Sequence, residues 1–210
     1  MLRLLNVKKE YGERVILSVP DLMLTGGIYW LQGANGSGKT TLLKMIAGLI
    51  PFSGDIDLNG MNQRRNPLEY RRLVSSAEAE PAYPVFLTGR ELIRFYQEIR
   101  IATTEQADRL IDQLGFGQFL STPIGTYSSG MIKRLSLLLA FIGRAKLILL
   151  DEPLATLDGE VAILLPDLMR DYQRSFDTSF IFSSHSSLPG SEKIPIKELL
   201  VHDQSIHLNV

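Results

Sequence analysis

The chain has 210 residues, with 22 lysine and arginine against 23 aspartate and glutamate, a net charge of −1, 45% apolar residues and no cysteine. This length suits one domain with room for a subdomain insertion, and the composition excludes disorder and collagen-like structure. Near-neutral charge removes the electrostatic case for nucleic acid as the main partner, and the lack of cysteine excludes a disulfide framework, a Cys-based zinc site and a thiol nucleophile.

The chain opens with MLRLLNVKKEYG, which has no signal-peptide core. Leu2 to Val7 reads as a strand, as does Val15 to Val19 before Pro20. Ile28 to Leu31 is a third strand, after the Gly26-Gly27 turn signal. Lys39 to about Gly48 reads as a helix with a glycine C-cap. Ser53 to Leu58 alternates like a strand and runs into the turn pair Asn59-Gly60. Leu73 to Ser75 is a further short strand.

The middle is helical. Thr88 to Ile99 starts with a capping box, Thr88 and Glu91. Thr104 to Leu114 ends at Gly115, and Ser129 to Ile142 is a third helix. Leu135, Leu138, Leu139 and Ile142 recur on it at helical spacing, which predicts packing. Its charge-free stretch, Leu135 to Gly143, falls well short of the ~18 residues that a membrane span needs. A mostly helical insert is expected at about residues 79–142.

Strand character returns at Lys146 to Leu150 and Thr178 to Ser183, with a helix at about 159–172 between them. Strand, helix, strand predicts a parallel sheet with crossovers. Leu199 to Val201 and Ile206 to Leu208 suit a hairpin around Asp203-Gln204. Trp30 is expected in the core, and His202 and His207 on the surface.

Gly33-Ala34-Asn35-Gly36-Ser37-Gly38-Lys39-Thr40 matches G-x-x-x-x-G-K-[ST], with a strand before it and a helix after it. Glycines let successive backbone N–H groups close around a phosphate at a helix N-terminus. Lys39 would supply a cation to the β- and γ-phosphates, and the Thr40 hydroxyl a ligand for Mg²⁺; Thr41 follows it into the site. Downstream, the apolar run Leu147 to Leu150 leads into Asp151-Glu152-Pro153. Carboxylates at the C-terminal end of a buried parallel strand lie where such sheets place ligands. Asp151 would hold Mg²⁺, and Glu152 would act as general base or orient a water at the γ-phosphate. No N-K-x-D or T-K-x-D occurs, which argues against a guanine-specific enzyme.

With these motifs and Tyr127-Ser128-Ser129-Gly130-Met131, the chain resembles the ATP-binding cassette (ABC) ATPases, from about Leu2 to Leu208. Ser128 and Gly130 match the family signature L-S-G-G-Q, and the S-x-G-M form is similar to that of ABC-2-type exporter subunits. The resemblance implies an α/β fold: a P-loop NTPase core with a mixed sheet flanked by helices, an N-terminal antiparallel β part, and the helical insert. It also implies that Ser128, Ser129 and Gly130 contact the γ-phosphate of ATP held by a second subunit. His185 matches the switch histidine, and Ala155-Thr156-Leu157-Asp158 resembles the D-loop. Tyr11 stands where the family stacks an aromatic ring on adenine. Glu78 stands in place of the Q-loop glutamine, as a candidate Mg²⁺ ligand.

The implied function is ATP hydrolysis, with Mg²⁺, that powers a separate membrane-spanning subunit from the cytoplasmic face of the membrane. The active form would be a homodimer, or a heterodimer with a second ABC ATPase. Residues 78–96, with Tyr83, Phe86 and Leu87, would line the coupling groove. Two other classes stay open: a non-transport ABC ATPase that acts on nucleic acid or ribosomes, and a nucleotide sensor without hydrolysis.

Overall fold

The structure, a computed structural model, describes residues 1–157 and 159–209. Its elements in chain order are β1 (Leu2–Tyr11), β2 (Arg14–Leu24), β3 (Ile28–Gln32), α1 (Lys39–Ala47), β4 (Ser53–Leu58), β5 (Met61–Asn62), α2 (Pro67–Leu73) and β6 (Val74–Ala77). Then come α3 (Gly89–Arg100), α4 (Thr104–Gln113), α5 (Ser129–Phe141), β7 (Leu147–Asp151), α6 (Gly159–Phe176), β8 (Ser179–Ser183), β9 (Ile196–His202) and β10 (Ser205–Asn209).

Two sheets organise these elements. One is antiparallel, in the order β2-β1-β4-β5; the other has the order β10-β9-β3-β8-β7-β6 and is parallel except at β10. The fold is therefore mixed α/β, with the phosphate-loop strand β3 in the interior of the second sheet. β7 is buried at all five positions, as expected of a strand covered on both faces. Its alternate residues serve two cores. Leu147 and Leu149 join the side formed by the antiparallel sheet, α1 and α2, while Ile148 and Leu150 join the side formed by α3 to α6.

Local chemistry explains most boundaries. The α3 capping box forms: Glu91 N–H donates to Thr88 Oγ1 at 3.3 Å, and Thr88 N–H donates to Glu91 Oε2 at 2.8 Å. Gly48 closes α1 at φ 74°. The turns of two hairpins use Asn59 (φ 51°) with Gly60 (φ 83°), and Asp203 (φ 47°) with Gln204 (φ 61°), the left-handed pairs that tight hairpins require. Leu135, Leu138, Leu139 and Ile142 are buried as the periodicity predicts, and so are Leu137, Ala140 and Phe141.

Three features depart from expectation. β2 does not stop before Pro20 but runs through it to Leu24. The strand lies at a sheet edge, and its ladder skips the position opposite Asn6, so no N–H is missed. β1 extends to Tyr11. α2 is a short helix with Pro67 in its first turn; only Tyr70 is buried on it, and Leu68 is exposed, so no apolar stripe announced it. Trp30 is half-buried and stacks on Phe182, while His202 and His207 are exposed.

Candidate functional site

β3, β8, β7 and β6 are neighbours and run parallel, so their C-terminal ends share one edge of the sheet. At that edge the chain leaves β3 into Gly33, β8 into Ser184-His185, β7 into Glu152 and β6 into Glu78. Topology alone thus collects residues more than a hundred positions apart.

The phosphate loop is shaped by its glycines. Gly33 has φ 151°, and a Cβ there would meet Ser37 Oγ and the Val201 carbonyl at 2.7 Å. Gly38 has φ 109°, and a Cβ would press on Leu17 of β2 at 3.0 Å. The loop therefore rests against the antiparallel sheet. Lys39 curls back over it, and its ammonium donates to Gly33 O at 2.8 Å and Ala34 O at 3.2 Å. Ala34, Asn35 and Gly36 are exposed, as is Thr40 at the start of α1; Thr41 is half-buried. The Ser37 hydroxyl is buried with no hydrogen-bond partner among the described residues. An exposed glycine-bearing loop with an orphaned hydroxyl, leading into a helix N-terminus, has the chemistry of an anion cradle.

The Asp151 carboxylate and the Glu152 backbone share one anchor. Ser183 donates its hydroxyl to Asp151 Oδ1 at 2.6 Å and accepts the Glu152 N–H at 2.9 Å. Glu152 takes φ 45°, a left-handed backbone that a non-glycine residue adopts only when its surroundings impose it. His185 Nε2 stands 3.4 Å from Glu152 Oε1. Trp30 donates its indole N–H to the Ser184 carbonyl at 3.0 Å, which fixes the residue before His185.

Glu78 pairs with Lys44 of α1 at 3.2 Å. Lys44 lies one helical turn after Thr40, so a cation accompanies this carboxylate beside the start of α1. Lys133 of α5 is buried, and its three donors go to carbonyls: Glu78 O and Asp151 O at 2.8 Å and Ala79 O at 3.3 Å. Burial pushes its ammonium down to about 8, against the pull of Asp151 and Glu152. Sequence reading singled out neither Lys44, Lys133 nor Ser183. The available signals were a lysine just before a charge-free apolar helical run and a serine at the C-terminal end of a buried strand.

Tyr11 is exposed and pairs with Arg14; Lys9, two residues before it on β1, pairs with Leu17, which packs on Gly38. The Lys9 ammonium sits 4.5 Å from the Tyr11 ring centroid and donates to Pro51 O at 2.7 Å. Ser128 caps α5 by accepting the Met131 N–H at 3.2 Å. Ser128 and Ser129 are exposed, and no hydrogen bond among the described residues links them or Gly130 to the phosphate loop. Gly130 lies against the Thr156 carbonyl, 2.9 Å from where a Cβ would stand. Asp158, the expected end of the D-loop, lies outside the described residues.

No group of three or more His, Asp and Glu able to hold a metal occurs among the described residues. A Mg²⁺ site here needs fewer protein ligands. The ion favours one or two carboxylates with phosphate oxygens and water, and the hard oxygen donors of Thr40 and Asp151 fit that demand.

Comparison with known proteins agrees with this arrangement. The family model for the ABC transporter domain matches residues 23–155. The chain is 33% identical over 192 residues to ABC transporter A family member 4 of Dictyostelium discoideum, covering 86% of this chain but only 12% of that protein. It is 31% identical over 193 residues to the lantibiotic transport ATP-binding protein SrtF of Streptococcus pyogenes, covering 88% of this chain and 80% of SrtF. A solved ATP-binding subunit of an ABC transporter shares the fold, with a TM-score of 0.88 at 23% identity over 100% of this chain and 90% of that one. Glycine-rich loop, carboxylate strand and sheet order thus converge on one conclusion: the chain belongs to the ABC transporter family, as an ATP-binding ATPase domain.

Proposed function

We propose that the chain hydrolyses ATP to power a separate membrane-spanning transporter subunit, docked at the cytoplasmic face of the membrane. No helix among the described residues is long and apolar enough to cross a membrane; in this reading the pathway belongs to that partner. The chain would act as one cassette, with residues 79–142 as a helical insert and the loop at 83–87 in the coupling groove; Phe86 is 78% exposed there. Two ATPase copies, as a homodimer or with a second ABC ATPase, would enclose two ATP molecules. Each would lie between one copy's phosphate loop and the other's exposed Ser128–Gly130 helix start, where the dipole favours anionic phosphate.

The reading rests on the juxtaposition of Lys39, Asp151, Glu152 and His185 at one sheet edge, with His185 Nε2 3.4 Å from Glu152 Oε1. Lys39 would exchange the carbonyls of Gly33 and Ala34 for the β- and γ-phosphates. Thr40 and Asp151, joined by Glu78 when it leaves Lys44, would hold Mg²⁺, whose charge would screen the β- and γ-oxygens. Glu152 would accept a proton from the attacking water, or orient it, and His185 would steady that carboxylate beside the γ-phosphate. Tyr11 would offer adenine one ring face, the other being covered by Lys9.

Affinity purification from detergent-solubilised membranes, followed by an ATPase assay, tests the whole reading. A multi-span membrane protein in the complex and Mg²⁺-dependent ATP turnover are expected. Salt-sensitive binding to DNA or ribosomes, with no membrane protein recovered, would overturn it.

A further inference from the structure

The peptide group between Asp151 and Glu152 is gripped on both sides. Its N–H goes to Ser183 Oγ at 2.9 Å, and its carbonyl accepts from Lys133 Nζ at 2.8 Å. The plane of this peptide is the reference from which the Glu152 φ of 45° is turned. Fixing the plane therefore fixes the backbone frame from which the Glu152 side chain sets out. Lys133 belongs to α5, which packs on β6 and β7 and begins at the signature residues Ser128–Gly130. The same ammonium holds the carbonyls of Glu78 and Ala79 at the end of β6. A buried ammonium with three donors, all spent on backbone carbonyls, is a rigid joint rather than a solvated charge.

We propose that Lys133 is a positioning residue which makes the orientation of Glu152 depend on the placement of the signature helix. A displacement of α5 pulls on the Asp151–Glu152 peptide and on the Glu78–Ala79 backbone together. The helix start that would meet a second subunit's ATP and the carboxylate that would act on this subunit's own water then move as one body. The inference rests on the reading of Glu152 as the group that orients the water.

The test compares Lys133→Met, which keeps length and removes all donors, with Lys133→Arg, which keeps donors. Measured on the purified chain, Lys133→Met should bind ATP within about twofold of wild type, because the phosphate loop is untouched. Its kcat should fall about tenfold to a hundredfold with KM little changed, the scale expected of a misplaced reacting group. Amide exchange in the segment containing Glu152 should accelerate, and Lys133→Arg should restore both properties. A kcat within twofold of wild type, or a loss of ATP affinity in step with kcat, would overturn the proposal. If the methionine variant does not fold, Lys133→Gln takes its place under the same criteria. Glu152→Gln is run alongside. If it is inactive while Lys133→Met is normal, only the joint fails. If it turns over normally, the role of Glu152 fails, and amide exchange alone then decides whether Lys133 holds the peptide.

Discussion

Ser183 and Asp151 are joined by a 2.6 Å hydrogen bond between two residues with almost no solvent exposure, and the same serine oxygen receives the next amide. Ser183→Ala would strip a buried carboxylate oxygen and a partly buried N–H of their shared partner. A destabilisation of about 1–3 kcal/mol is expected, read as a lower denaturant midpoint at unchanged slope. ATP turnover should fall as well, since the freed amide belongs to Glu152.

Lys39→Ala tests the phosphate loop. The ammonium now rests on the carbonyls of Gly33 and Ala34, and no other lysine approaches that loop in the hydrogen bonds of the described residues. Removing it deletes at least two charge-assisted bonds to phosphate, each worth about 1.5–3 kcal/mol. Affinity for a fluorescent ATP analogue should drop on the order of 100-fold or more. Undiminished binding would refute the assignment.

Glu152→Gln separates binding from chemistry. The amide keeps the shape of the side chain beside His185 but cannot take a proton. The variant should bind ATP with near-normal affinity, lose turnover by at least about 100-fold, and elute as an ATP-dependent dimer in gel filtration. Normal turnover would show that another group positions the water.

The start of α3 predicts a pH effect. Backbone and hydroxyl donors of Thr88 hold the Glu91 carboxyl below its ordinary value of 4.5. A carboxylate depressed in the folded state contributes stability above the unfolded pKa and loses it as pH falls through the lower, folded one. The difference in melting temperature between wild type and Glu91→Gln should therefore be full at neutral pH, shrink as pH falls below about 4.5 and vanish only below the lower, folded value. Thr88→Ala, which removes the cap itself, should cost about 1 kcal/mol at neutral pH.

What could be read without coordinates was what local chemistry dictates. The loop at Gly33–Thr40, the Thr88–Glu91 box, the Gly48 cap and the apolar run into Asp151 each carry their structure within a few neighbours. The contacts of Lys133 reach back more than fifty positions, and Ser183 meets Asp151 across two strands. Nothing near either residue announces such partners, because the packing of α5 on β6 and β7 makes the first set of contacts and the parallel register of β7 and β8 makes the second. α2 was illegible for another reason: a seven-residue helix with one buried side chain carries almost no periodic signal. Glu78 could be read as a candidate site residue after a short strand, but its pairing with Lys44 needed the helix α1 docked beside β6.

Because β7 faces a different core on each side, the two carboxylates at its tip inherit the packing quality of both. Ile148→Val would loosen the helical side alone and Leu149→Ala the antiparallel side alone, yet both report to the same few atoms. The strand is clamped from two directions, so that a packing defect on either side would reach the place where ATP would be cleaved.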